Sequence, residues 1–119
     1  MEMNAEKEAL VCYLNAVQLR PDIKSTWQAL VKALYSSNYL DEALSQLIIA
    51  EEHCGEKIEF VYYRAAILLA QGKTKEAVIQ LENALASNDK KISALKFIDR
   101  EIAHHPVFAE VLVRNKKKK

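Results

Sequence analysis

The stretch Tyr39–Ala50, YLDEALSQLIIA, decides how the rest of the chain is read. Its Glu42-Ala43 pair returns 34 residues away on either side, as Glu8-Ala9 and Glu76-Ala77, and Glu110-Val111 continues the series. A further alanine follows each of these three alanines by seven positions, at Ala16, Ala50 and Ala84. On a helix that spacing puts both on one face, two turns apart, where a neighbouring helix can approach closely. Residues that took no part in finding the period test it. Counting in 34s, Pro21 and Gly55 share a position that Asp89 fills in the next period; Gly72 and Pro106 share another, which Asn38 fills one period earlier. All six end helices or form turns, and they cut the chain into helical stretches of about a dozen residues. The chain reads as a helical repeat, and the work of such a protein is to hold another molecule.

Each stretch carries an apolar stripe at helical spacing. In residues 5–19 it is Ala9, Tyr13, Ala16 and Val17, and Arg20-Pro21-Asp22 ends the helix, since a residue before proline leaves the helical region. Ser25 or Thr26 is the expected cap of the next helix, whose stripe is Trp27, Leu30, Val31 and Leu34. After the turn at Ser36-Ser37-Asn38, Asp41 is expected to cap a helix carrying Ala43, Leu44, Leu47, Ile48 and Ala50. Gly55 closes that helix as a glycine C-cap. A fourth helix spans residues 58–70 with Val61, Ala65 and Leu68 inward, and Gly72 breaks it. Thr74 is the expected cap of the fifth, which turns Ala77, Val78, Leu81, Ala84 and Leu85 to one side.

The ends depart from the pattern. Ile92, Leu95, Ile98 and Ile102 form a narrower stripe beside Asp99, Arg100 and Glu101, as expected of a terminal repeat facing both a neighbour and water. His104-His105-Pro106 ends that helix, and residues 107–114 read as a shortened final one. Met1 falls part-way through a repeat, so Ala9 and Tyr13 lack half of their usual neighbours, and the chain reads as part of a longer array or an excised piece.

At 119 residues the chain can remove roughly two-thirds of its unfolded surface from water. Half of its residues are apolar and 28% charged, which argues against disorder. Net charge is +1, yet without the four terminal lysines the balance is 13 basic against 16 acidic residues. A mildly acidic body makes a nucleic-acid surface unlikely on charge grounds. Cys12 and Cys54 show no ligand spacing and no disulfide framework, which points to a reducing, cytoplasmic setting. The start is polar, with no visible signal peptide, and no apolar run approaches the ~20 residues of a membrane span.

Trp27, Leu30, Leu34, Ala43, Leu47 and Ala50, followed by Gly72, Ala77, Leu81 and Ala84, resemble the tetratricopeptide repeat, and the likeness covers nearly all of the chain. Val31 stands where that family prefers glycine, Arg64 where it prefers leucine, and Val111 where it prefers alanine. The resemblance implies an all-α fold, a right-handed α-solenoid of antiparallel helix pairs with about three units, the first and last incomplete. Its units would be about 1–23, 24–57, 58–91 and 92–115, with residues 116–119 a basic disordered tail. It also implies a concave face that takes up a peptide or helix of a partner. Carried over position by position, that face is lined by Gln28, Lys32 and Tyr35, then Tyr62, Tyr63 and Ala66, then Lys96, Phe97 and Arg100. Aromatic and cationic side chains together suit a ligand with acidic and apolar groups. The alternative is that the tyrosines cover seams between helices. Some members clamp the terminal carboxylate of heat-shock chaperones; here Ala29 and Tyr63 stand where polar clamp residues would be needed, so no such clamp is expected.

No catalytic constellation emerges. His104 and His105 point about 100° apart on a helix and have no ligand at i+3 or i+4, so no metal site is expected. Neither cysteine has an adjacent base. The recurring Glu8, Glu42 and Glu76 sit at helix starts, where carboxylates favour the dipole. No glycine-rich phosphate loop exists, so no cofactor is expected. The lysine tail reads as a solubilising terminus, against a nuclear signal, nucleic-acid arm or anionic-membrane contact. The expected function is a non-enzymatic protein-binding module. The alternative is a structural spacer or self-association segment, with a homo-oligomer formed through the truncated end around Ala9, Tyr13 and Val17.

Overall fold

The computed structural model describes residues 2–117. It is 85% helix with no strand among the described residues, which places the chain in the all-α class. Met1, Lys118 and Lys119, and with them the extreme ends of both terminal segments, lie outside those residues. The chain divides into two compact units, Met1–Lys57 and Ile58–Lys119. The first holds α1 (Glu2–Leu19), α2 (Lys24–Ser36) and α3 (Leu40–Cys54). The second holds α4 (Ile58–Ala70), α5 (Thr74–Asn88), a 3-10 turn (Asp89–Ile92), α6 (Ser93–Ile98), a second 3-10 turn (Ile102–His104) and α7 (Pro106–Lys117).

The two central helix pairs share their dimensions. Helices α2 and α4 each have 13 residues and begin 34 apart; α3 and α5 each have 15 and also begin 34 apart. The turns inside the pairs share their chemistry as well. Asn38 (φ 67°) and Gly72 (φ 84°) both adopt the left-handed conformation, which glycine takes freely and asparagine tolerates. The Tyr39 N–H donates to Leu34 O at 2.8 Å and the Asn38 N–H to Tyr35 O at 3.0 Å. One period later Lys73 donates to Leu68 O at 2.9 Å and Gly72 to Leu69 O at 3.0 Å. These are Schellman closures, satisfying carbonyls that a helix end leaves orphaned.

Those closures explain why the expected side-chain caps fail. Tyr39 and Lys73 finish one helix and start the next, and their carbonyls accept from Ala43 and Ala77, each at 2.9 Å. No residue is left between the helices to supply a capping oxygen, so the N-caps are Tyr39 and Lys73 without a side-chain bond. Asp41 and Thr74 lie inside the first turn instead. Ser25 and Thr26 do too, because α2 begins at Lys24 after an uncapped Ile23. Gly55 does close α3, at φ 83°.

In the first unit Val17, Trp27, Leu30, Val31, Leu34, Ala43, Leu47 and Ala50 are buried. Ile48, expected inside, is 55% exposed. It stands about 100° round the helix from Leu47, and the inward face is set by Ala43, Leu47 and Ala50 at i, i+4 and i+7. Ala9, Tyr13 and Ala16 of α1 are only half-buried, whereas their counterparts Ala43, Leu47 and Ala50, then Ala77, Leu81 and Ala84, are fully enclosed. The Pro21 carbonyl ties the unit's loop to two helices, accepting from Trp27 Nε1–H at 2.8 Å and from the Cys54 thiol at 3.5 Å.

In the second unit α4 is buried nearly all round, from Phe60 through Leu69, and packs on α5 and α6. The single helix expected over residues 92–102 is broken. Asp99 is extended (φ −160°) and its Oδ1 accepts the Glu101 N–H at 3.0 Å, a local turn that competes with the helix. The final helix is longer than expected: α7 spans 12 residues and takes in Lys116 and Lys117, which the sequence placed in a disordered tail. Pro106 opens it, pre-set to helical φ, and the His105 imidazole accepts the Val107 N–H at 3.2 Å as its cap.

Candidate functional site

Gln28, Lys32 and Tyr35 lie at i, i+4 and i+7 on α2, with Lys32 exposed and the other two half-buried. They lie along one face of α2, the second helix of the first unit. The remaining candidates belong to the second unit and separate into two groups. Tyr62, Tyr63 and Ala66 are buried, at 0%, 2% and 0% exposure, so their side chains build the core. Lys96 and Phe97 of α6 and Arg100 in the following turn are exposed. Sequence position alone could not divide these, because it does not tell which side of a helix buried all round meets solvent.

The buried tyrosines do structural chemistry. Tyr63 lies between Phe60 and Phe97, with ring centroids 6.3 and 5.8 Å away and the rings tilted. Such pairs add about 0.5–1.5 kcal/mol beyond burial. The Tyr62 hydroxyl donates to Asn88 O at 2.9 Å, joining α4 to the end of α5. Burial pushes this phenol up from 10.0 to about 12. A raised folded-state pKa means that the neutral phenol's contribution is whole below pH 10 and lost as pH climbs through about 12. Tyr62→Phe should cost about 1 kcal/mol at neutral pH, by leaving the Asn88 carbonyl without its donor. In thermal melts taken between pH 10 and about 12, wild type should lose that advantage over the variant.

Each unit also carries a cleft that sequence reasoning did not single out. One of about 310 Å³ lies in the first unit, lined by Leu14, Val17 and Gln18 of α1 and by Gln46, Ile49 and His53 of α3. One of about 250 Å³ lies between Glu82, Leu85 and Ala86 of α5 and Val111, Arg114 and Asn115 of α7. Leu14, Val17 and Gln18 become Glu82, Leu85 and Ala86 two periods on, and Gln46 becomes Arg114. The period was therefore the signal that could have found these clefts. They differ in chemistry. Glu82 and Arg114 face each other across the second at 4.0 Å, a half-exposed pair worth no more than about 1 kcal/mol. Carboxylates and ammonium groups are absent from the lining of the first, which suits a neutral or apolar side chain.

His53, His105 and Cys54 have structural partners. His53 stacks on Trp27 with centroids 6.2 Å apart and planes 13° from parallel. Arg20 and Asp22 bond twice at 3.1 Å across the turn after α1. Their hydrogen bonds hold the Asp22 carboxyl below its usual range and push the Arg20 guanidinium up. Among the described residues no three His, Cys, Asp or Glu side chains gather closely enough to hold a metal ion. No described helix is long and apolar enough to cross a membrane. No protein-family model, curated protein or solved structure matches this chain.

Proposed function

We propose that the chain is a non-catalytic, tetratricopeptide-like α-solenoid that binds a peptide or helix of a partner protein. The observation that carries this reading is the duplication of the α2–α3 pair in α4–α5, equal in length, offset and turn chemistry. A duplicated scaffold fixes its exposed side chains before a partner arrives, so the partner bears most of the ordering cost. The partner-facing residues are Gln28, Lys32 and Tyr35 on α2 in the first unit and, as a separate surface, Lys96, Phe97 and Arg100 on and after α6 in the second, each combining cationic and aromatic groups suited to acidic and apolar ones.

Selection of a phage-displayed random peptide library on the immobilised chain tests it. Peptides retained by wild type should be enriched in acidic and aromatic residues. Lys32→Ala should release them while changing stability by no more than about 0.5 kcal/mol; Phe97→Ala should release them too, at a cost of about 0.5–1.5 kcal/mol or more because it also removes the ring pair with Tyr63. Retention unaffected by Lys32→Ala would overturn the assignment of the α2 surface, and retention unaffected by Phe97→Ala that of the α6 surface.

A further inference from the structure

Of the chain's six serines and two threonines, Ser93 alone has cations both three and two positions before it, at Lys90 and Lys91. That spacing is what serine kinases with acidic subsites read in a substrate. Ser93 is exposed, as the first residue of α6, and the segment before it is the 3-10 turn Asp89–Ile92, none of whose side chains is buried. A kinase draws its substrate out as an extended strand, and a short 3-10 turn can unwind for it without uncovering the core. Ser45 and Ser87, by contrast, lie within helices of 15 residues.

The same geometry decides what a phosphate on Ser93 meets. Residues three apart eclipse in a 3-10 turn, and residues three or four apart are neighbours in an α-helix, so Lys90, Ser93, Lys96 and Phe97 lie along one face. All four are exposed, while Ala94, Leu95 and Ile98 are buried. Lys90 and Lys96 thus bracket Ser93, one turn before it and one after. Over residues 89–101 the four bases Lys90, Lys91, Lys96 and Arg100 stand against the three acids Asp89, Asp99 and Glu101, a balance of +1. A phosphate of about −1.5 to −2 charges turns that balance negative.

We propose that Ser93 is phosphorylated by a serine kinase that recognises basic residues, and that its phosphate, paired with Lys90 and Lys96, reverses the charge of the α6 surface. The step is phosphoryl transfer from ATP: Ser93 Oγ attacks the γ-phosphorus, the bond to the ADP oxygen breaks, and the hydroxyl proton passes to the kinase's base. The effect on binding rests on the partner-binding reading of that surface: acidic peptides seated on Lys96, Phe97 and Arg100 should be expelled by like charge. Phosphate transfer and its pairing do not depend on that reading.

Incubation of the full chain with magnesium-ATP and the catalytic subunit of cyclic-AMP-dependent kinase, followed by tandem mass spectrometry, tests the transfer. A single phosphate should appear, on Ser93. Ser93→Ala should take up none, and Lys90→Ala combined with Lys91→Ala should slow uptake on the order of tenfold. Phosphorus-31 NMR of the product tests the pairing. The second phosphate ionisation, at about pH 6 in an unperturbed phosphoserine, should lie roughly half a unit lower in the folded chain than in the same chain unfolded in urea. Lys96→Ala should return part of that shift, and far-UV circular dichroism checks that the variants fold. Acidic peptides retained by the unmodified chain should be released by the phosphorylated one. A chain that takes no phosphate on Ser93, or a phosphate that ionises alike in the folded and unfolded chain, would overturn the proposal; an unmodified chain that retains no acidic peptide would overturn the partner-binding reading instead.

Discussion

Trp27→Ala should destabilise the protein by about 3–5 kcal/mol, read as a lower midpoint in urea with most of the loss in the first unit. Trp27 is 2% exposed and lines the cleft of the first unit, so its removal takes a large buried side chain out of the packing and widens that cleft. It also deletes the indole N–H that donates to Pro21 O at 2.8 Å, and the ring on which His53 stacks. Two controls separate these parts. His53→Ala removes the stack from an exposed side chain and should cost less than about 1 kcal/mol. Val61→Ala, at the equivalent place one period later, removes a smaller, half-buried side chain and should cost clearly less than the tryptophan. A Trp27→Ala loss below about 1 kcal/mol would mean that the ring does not hold the first unit together.

Ala77→Leu should cost about 1–3 kcal/mol by overpacking, and Ala43→Leu a similar amount. Both alanines are completely enclosed, each at the start of a helix that presses against the one before it in its pair. Added methylenes there must push two backbones apart. Ala9→Leu is the same substitution at the same place in the period, but on the half-covered face of α1, so the added carbons have room. It should change stability by less than about 1 kcal/mol. Thermal unfolding of the three variants side by side makes the comparison. Equal losses at Ala9 and Ala77 would show that α1 is enclosed after all.

The central helices were legible in the sequence because their signals are local and redundant. Alanine pairs, turn residues and apolar stripes all point to the same boundaries for α2 to α5, and Trp27, Leu30, Val31 and Leu34 are buried as expected. The capping residues were misplaced for a reason that lies in the backbone. The Schellman closures at Asn38 and Gly72 run straight into the next helix, and a polar residue nearby cannot show by itself whether a gap exists for it to fill. The break at Asp99 was invisible for a similar reason: Ile98 and Ile102 keep helical spacing across it, while one carboxylate bonding to the Glu101 N–H ends the helix. Among the candidate partner-facing residues, Phe97 could not be separated from Tyr62 and Tyr63 by residue type or spacing. All three sit on apolar helices, and only the enclosure of α4 on every side distinguishes the last two.

The first unit closes on itself with bonds between near neighbours in the chain: the Cys54 thiol reaches back to Pro21 O across only 33 residues, and Trp27 to the same oxygen across 6. Short-range closure of this kind is fast. During synthesis, the residues through Lys57 can therefore complete their core once they emerge from the ribosome, while the residues of α4 are still inside the exit tunnel. The nascent chain then never needs to keep Trp27 and Leu47 exposed while it waits for its second half.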